Sequence, residues 1–454
     1  MTPVAPASLG LGTSTGPIIA DNWWTALGDP QFDRIVADAL DASPTLSAAL
    51  ARVRVAQAEV AGRRADRLPS ATIDAQEQRT RLSDKYIIPP PYGGSSRWVG
   101  TAQLNLNWTI DFWGRQAALV AQSRGTARAA ALDAAAARLA LTASVAQTYI
   151  ELARAEQLAT IANDFVASRQ ETLKLVRSRI RHELASRYDE RAAEALLVEA
   201  EQAQLRAAGQ REVLVHALAA LAGRGADYYP SIGPARLNFA AALPLPETLP
   251  ADLLARRPDL LAGLARVDAA AAGRKVARAA FYPNVNLLGL AGFQALGLGA
   301  LVSGGALTYG AGPSVHIPIF EGGRLRADYA GATSQYDVAT ADYNEAVLRA
   351  VRDASDAISQ VRTTTADAAE QVRLVGALQD VVRLDQRRTA SGLASQLDIL
   401  ASGTRLLDAR QAAVNLAADG ILRRVQLVVA VGGGFTPAPN LALAPNTAAA
   451  EARP

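Results

Sequence analysis

Cysteine is absent from the 454 residues, which excludes disulfides, thiolate metal sites and cysteine nucleophiles within this chain. Histidine occurs three times, at 182, 216 and 316, too scattered to suggest a His-based metal site or a triad. Aromatic residues make up 5% and there is one Met, although 50% of the chain is hydrophobic. The apolar half is therefore mostly Ala, Leu and Val, small side chains that suit close helix packing. Charged residues make up 20% and nearly cancel to a net +3, which argues against bulk nucleic-acid binding. Nothing resembles a nucleotide site or a cofactor motif, and Gly432-Gly433-Gly434 lacks the following helix that a phosphate loop needs. Composition points to a helix-rich, non-catalytic protein and goes no further.

The first twenty residues, Met1 to Ala20, lack a basic region followed by an apolar core and read as a flexible leader rich in Pro, Gly, Ser and Thr. A second stretch bears on membranes. No Asp, Glu, Lys or Arg occurs from Ala279 to Phe320, and Leu287 to Gly312 is almost wholly apolar, long enough for a transmembrane helix. Eight glycines within that segment, each costing about 1 kcal/mol in a helix, favour a lipid-facing β-hairpin instead.

The chain is internally repeated. Pro44 aligns with Pro258, Ala51-Arg52-Val53 with Ala265-Arg266-Val267, and Pro69 with Pro283, at one offset of 214 (258 − 44). Further on, Arg115 aligns with Arg324, Leu184-Ala185-Ser186 with Leu393-Ala394-Ser395, and Gly223 with Gly432, at an offset of 209 (324 − 115). The expected organisation is a leader, 1–28; a first repeat, 29–223, with a hairpin at about 69–111; a linker, 224–250; a second repeat, 251–432, with a hairpin at about 283–320; and a tail, 433–454. Each repeat reads as a helix (Asp29 to Arg67; Asp252 to Ala280), a hairpin, and two long helices. The long runs are Arg115 to about Arg181 with Leu184 to Ala222, and Arg324 to about Ala390 with Leu393 to Val431. A helix of about 65 residues spans roughly 100 Å, and charges every few residues place these runs in water as coiled coils.

From Thr101 to Asp111 the pattern alternates without a break. Ala102, Leu104, Leu106, Trp108 and Ile110 take one face; Gln103, Asn105, Asn107 and Thr109 take the other. Tyr309 to Phe320 repeats it, with Ala311, Val315, Ile317 and Ile319 against Gly310, Gly312, Ser314 and His316. Such strands suit a lipid-facing barrel wall with a wet lumen. Four strands cannot close a barrel, and open edges are not tolerated in lipid, so the chain is expected to oligomerise. Eight strands from a dimer leave almost no lumen; twelve from a trimer leave a pore. Trp108, Phe112 and Trp113 fit an interfacial aromatic girdle, and Pro89-Pro90-Pro91-Tyr92-Gly93-Gly94 an exposed loop.

This duplicated unit resembles the TolC-type outer-membrane efflux proteins, in the branch that serves RND pumps. The resemblance runs from Trp23-Trp24 and Asp29-Pro30 to Gly432, and its most specific motifs are Pro69 and Pro283 and the repeated Leu-Ala-Ser-x-x-Asp tips at 184–189 and 393–398. It implies a mainly α fold with a membrane β-barrel: a homotrimer with a twelve-stranded barrel and a long α-helical periplasmic tunnel. Such a duct, in the outer membrane of a Gram-negative bacterium, exports drugs or other small solutes with a periplasmic adaptor protein and an inner-membrane RND-type pump. The linker and the chain ends are expected to form a belt around the tunnel. Members of this branch are commonly lipoproteins with an acylated N-terminal Cys after a signal peptide. This chain has no Cys and begins Met1-Thr2-Pro3-Val4, which reads most simply as a sequence from which the signal segment and that Cys have been removed, with an unacylated protein as the alternative. An outlet for type I secretion, or a structural coiled-coil protein without a pore, are the alternative readings; the Trp23-Trp24 segment leans toward efflux.

At the tips, Gly392 suits a residue with positive φ at a tight turn, and Glu183 holds that place in the first copy. Ser186 and Ser395 are candidate caps of the returning helices, with Asp189 and Asp398 in their first turns. The resemblance implies that Asp398, and Asp189 at the matching place, line a closed periplasmic constriction in which Leu397 packs. The family often has a second Asp one turn on, where this chain has Ala401, and a tyrosine near the place of Thr389. It further implies an adaptor-docking tip formed by Arg179, Leu184, Ser186, Arg388, Gly392, Leu393 and Ser395.

Overall fold

In a computed structural model, the chain is described over residues 2–4, 19–85, 91–237, 239 and 256–436. Most of the leader, Pro89-Pro90, the linker at 240–255 and the tail from 437 lie outside the described residues. The first copy comprises α1 (Pro30–Ala42), α2 (Pro44–Ala65), β1 (Ser70–Arg81), β2 (Ser96–Ile110), α3 (Arg115–Arg181) and α4 (Arg187–Leu221). The second comprises α5 (Pro258–Ala279), β3 (Asn284–Leu296), β4 (Leu307–His316), α6 (Arg324–Ala390) and α7 (Gln396–Ala430).

Two boundaries differ from the sequence pattern. The first helix is broken at Ser43, which adopts φ −63° and ψ 122° ahead of Pro44. Proline pushes the preceding residue out of the helical region and suits the first position of a new helix. The apolar alternation running to Phe320 stops being strand at His316, which lies opposite Asn284, the first residue of β3, so that the ladder has no partner for Ile317 and beyond. Elsewhere, caps set the ends. Asp29 accepts from Gln31 N at 2.9 Å with Pro30 at the first helical position. Asp111 accepts from Gln116 N at 3.0 Å and Ala117 N at 2.8 Å to start α3.

The chain forms two compact units. The first, residues 1–3, 52–130 and 262–343, holds a four-stranded antiparallel sheet in the order β1-β2-β3-β4. The hairpins of the two copies are joined through β2 and β3, with Trp108 opposite Leu287 and Leu104 opposite Ala291. Small residues bring helices together: a Cβ added at Gly125 of α3 lies 2.9 Å from the Ala269 Cβ of α5. The segment read as a possible transmembrane helix is the β3–β4 hairpin.

The second unit, residues 4–51, 131–261 and 344–454, contains α1, α4, α7 and most of the long helices. Its core includes Phe32, Ile35 and Val36 of α1, Tyr149, Ile150 and Leu152 of α3, and Leu218 and Ile421. Phe32 stacks on Tyr149 with centroids 5.0 Å apart. One 18-residue window of α3 has mean hydropathy 1.3, apolar enough for a membrane span by composition. Of that window 44% is buried, and Leu132, Val145 and Tyr149 of the same helix are buried, so part of its apolarity is interior. At the end of α4, Gly223 adopts φ 69°, and a Cβ there would meet the Ala42 carbonyl oxygen at 2.3 Å. Only glycine satisfies both demands.

Candidate functional site

Opposed residues in an antiparallel pair share a face, and faces alternate along each strand. The register therefore assigns Ala71, Ile73 and Ala75 of β1 to one face with Leu106, Leu104 and Ala102 of β2. Gly289, Ala291 and Phe293 of β3 join them, followed by Ala311, Tyr309 and Leu307 of β4. The opposite face carries Thr72, Asp74 and Gln76, then Asn105, Gln103 and Thr101, then Asn286 and Ser314, with Leu288 and Leu290 as apolar exceptions in β3. Asp74 on that face accepts from Asn105 Nδ2 at 2.8 Å. Over the part of the sheet nearest the helices one side suits hydrocarbon and the other suits water; farther along β1, Glu77, Arg79 and Arg81 fall on the same side as Ala71, Ile73 and Ala75. Among the described residues, β1 and β4 each keep one unpaired edge.

Where strands give way to helices, the tryptophans are anchored by their indole donors. Trp108 Nε1 donates to the Arg67 carbonyl at 3.0 Å, and Trp113 Nε1 to the Pro283 carbonyl at 2.9 Å. Phe112 and Trp113 remain exposed, which fits a wet–apolar boundary.

The two tips in the second unit have the same geometry. α3 ends with Glu183 N donating to Ile180 O at 3.0 Å and Leu184 N to Arg179 O at 2.8 Å; Glu183 is left-handed at φ 59°. α6 ends with Gly392 N donating to Thr389 O at 3.0 Å and Leu393 N to Arg388 O at 2.8 Å, with Gly392 at φ 73°. Both are Schellman turns, in which the left-handed residue lets two amides satisfy the last carbonyls. The position filled by glycine in one copy is thus forced on a glutamate in the other.

A capping box follows each turn. Ser186 N donates to Asp189 Oδ2 at 2.8 Å, and Asp189 N returns to Ser186 Oγ at 3.3 Å. Ser395 N donates to Asp398 Oδ2 at 2.7 Å, and Asp398 N to Ser395 Oγ at 3.3 Å. These bonds to the serine backbone, then to its hydroxyl, hold both carboxyls below the usual aspartate value, and Arg179 and Arg388 add a smaller pull. Arg388 also lies 3.7 Å from Asp385. Leu184 and Leu393 are 68% and 72% exposed, so each tip offers a large apolar side chain to something outside the chain. Leu397 lies on α7, and its side chain is outside the described residues.

Two groups escaped sequence reasoning. Arg177 of α3 bonds to Glu190 and Glu194 of α4 across the turn, a pairing whose separations of 13 and 17 match no helical spacing. Buried Asp29 accepts from Tyr149 Oη at 2.7 Å and from Arg236 N at 2.8 Å, tying α1, α3 and the start of the linker together. In the sequence Asp29 stands out only beside Pro30, at the start of the first helical run.

The model of the outer membrane efflux protein family matches residues 35–224 and 249–433, one match for each copy of the repeat. The chain belongs to this family, whose members are efflux channels of the outer membrane, and that membrane is its location. It is 34% identical over 325 residues to the fusaric acid resistance protein FusA of Burkholderia cepacia, spanning 69% of this chain and 60% of that protein. It is 28% identical over 428 residues to the multidrug resistance outer membrane protein MdtP of Shigella flexneri, spanning 92% and 87%. The crystal structure of the outer membrane protein VceC from Vibrio cholerae superposes with a TM-score of 0.85 at 30% identity, covering 92% of this chain and all 100% of that one. The expected fold class, mainly α with a barrel sheet, is the fold of these channels.

Proposed function

We propose that three copies of this chain close a twelve-stranded barrel around a continuous duct, the outlet of a tripartite efflux system for small toxic solutes. The observation that carries this reading is the four-stranded sheet, which near the helices has one apolar and one mainly polar face and, among the described residues, two open edges. Unpaired backbone groups are too costly in hydrocarbon, so β4 of one copy pairs with β1 of the next until the ring closes. Three copies supply enough strands for an aqueous lumen, whereas two do not. The long helices, about 100 Å at 1.5 Å per residue, continue the wall through the periplasm. The names of the relatives support drugs and organic toxins as cargo.

In this reading Asp189, Asp398 and Leu397 narrow the periplasmic mouth. Six carboxylates held below the usual value stay ionised at neutral and mildly acid pH, so the mouth favours cations. Arg179, Leu184, Ser186, Arg388, Gly392, Leu393 and Ser395 present the turn surface to a periplasmic adaptor, with exposed Leu184 and Leu393 as its apolar anchors. The adaptor connects the duct to an RND-type inner-membrane pump that supplies the energy.

The test is native mass spectrometry of the full chain in detergent, followed by planar-bilayer recording. A trimer that conducts ions is expected, and Asp398→Ala raises its resting conductance or lowers its cation preference. A monodisperse monomer that needs no detergent would sink the reading. Unchanged conductance and selectivity in the Asp398 variant would remove the gate assignment alone.

A further inference from the structure

An open cleft of about 660 Å³ lies in the first unit between the start of α3 and the end of α5. Phe112, Trp113 and Tyr282 form its aromatic side, Lys275 and Arg278 its basic side. Trp113 stacks on Tyr282 with centroids 4.9 Å apart and planes 17° apart, and its bond to the Pro283 carbonyl fixes the ring pair. Phe112, two residues beyond the end of the apolar strand face at Ile110, is 65% exposed. Lys275 and Arg278 are exposed and one helical turn apart, and among the described residues neither makes an ion pair. The dipole at the end of α5 accounts for Arg278 in the last turn but not for Lys275 a turn earlier, nor for the rings beside them.

The duplication supplies an internal comparison. At the offset of 209, Phe112 and Trp113 correspond to Glu321 and Gly322; at the offset of 214, Lys275 and Arg278 correspond to Ala61 and Arg64. The matching corner of the other copy has neither the aromatic pair nor the paired cations. The residues that give the cleft its aromatic and basic sides are therefore particular to one corner and not a consequence of the repeat.

We propose that this cleft binds the headgroup of a net-negative glycerophospholipid in the membrane leaflet nearest the helices. Lys275 and Arg278 hold the phosphate. Phe112 and the Trp113–Tyr282 pair lie against the glycerol and the first methylenes, the amphipathic role such rings take at a membrane boundary. The proposal rests on the apolar face of the sheet being the lipid-facing one. The lipid supplies an anion to two uncompensated cations, each worth about a fivefold gain near a charged membrane surface, so about thirtyfold together.

The experiment is lipid titration of the full-length protein in detergent by native mass spectrometry. Phosphatidylglycerol is compared with phosphatidylcholine of the same acyl chains. The expected result is retention of phosphatidylglycerol in preference, weakened by salt, lost about thirtyfold in Lys275→Gln/Arg278→Gln and kept in Lys275→Arg/Arg278→Lys. Equal retention of the two lipids, or an unchanged preference in the Gln variant, overturns the site. Displacement of the lipid by inorganic phosphate also overturns it, because the cleft would then be a free-phosphate site. Insertion into liposomes is measured in parallel. A wild-type protein that fails to insert refutes the lipid-facing reading of the sheet, whereas insertion without headgroup preference refutes only this cleft.

Discussion

Arg177 on α3 donates from Nε to Glu190 and from Nη2 to Glu194, both on α4 and both at 2.9 Å. At the offset of 209 the corresponding residues of the second hairpin are Gln386, Ile399 and Gly403. The first hairpin is therefore clamped by charge close to its turn, while the second carries no charge at those positions and places a helix-weakening glycine in α7. Hydrogen exchange is expected to be faster at the α6–α7 turn than at the α3–α4 turn. Arg177→Gln raises exchange in the first hairpin toward that of the second and leaves the second unchanged. Equal exchange in the two wild-type hairpins would refute the asymmetry.

Glu183 and Gly392 test the turns themselves. Both are left-handed, at φ 59° and φ 73°, but only glycine adopts that conformation without steric cost. Glu183→Gly is expected to stabilise its turn by about 1 kcal/mol, and Gly392→Ala to destabilise the other by a similar amount. Protection factors of the amides of Leu184 and Leu393, which close the two turns, report these shifts with opposite signs.

Much of this was legible because the duplication let each copy annotate the other. Glu183 in a left-handed turn follows from no propensity; it follows from alignment with Gly392. Strand faces were readable from period-two alternation, since Leu104, Leu106 and Trp108 share a side whatever the partner strand. What the sequence hid were pairings of long separation. Nothing near Tyr149 announces that it donates to Asp29, 120 residues away. Nor does the spacing of Phe112 and Lys275 announce a common cleft. The break at Ser43 was marked by Pro44 but masked by apolar periodicity continuing through it, because the hydrophobic pattern records burial and not backbone continuity.

The Tyr149–Asp29 bond is buried and involves a carboxylate that also receives Gln31 N and Arg236 N. Burial, then the bond to Asp29, pushes the Tyr149 phenol well above its ordinary value, so it remains a donor at any physiological pH. Tyr149→Phe keeps the stack on Phe32 and removes only the hydroxyl. The expected loss is about 1.5–3 kcal/mol, the worth of a hydrogen bond to a charged group. A chemical-denaturation midpoint unchanged from wild type would show that Asp29 is satisfied without it.

Glu156 on α3 accepts from Ala235 N at 2.7 Å and from Arg211 Nε at 3.1 Å, and so fastens the described start of the linker to the helices. Burial raises its carboxyl above the ordinary 4.5, outweighing both bonds. A carboxyl whose value rises on folding favours the protonated native state. Its contribution is fully present below 4.5 and is lost as pH climbs through the raised value. Glu156→Gln removes that titration and keeps an acceptor oxygen for one of the two donors. The melting temperature of the variant relative to wild type is therefore expected to rise as pH climbs above 4.5, with groups elsewhere cancelling in the difference. A difference that stays flat or falls over this range would mean that the Arg211 and Ala235 bonds, not burial, control the charge of Glu156.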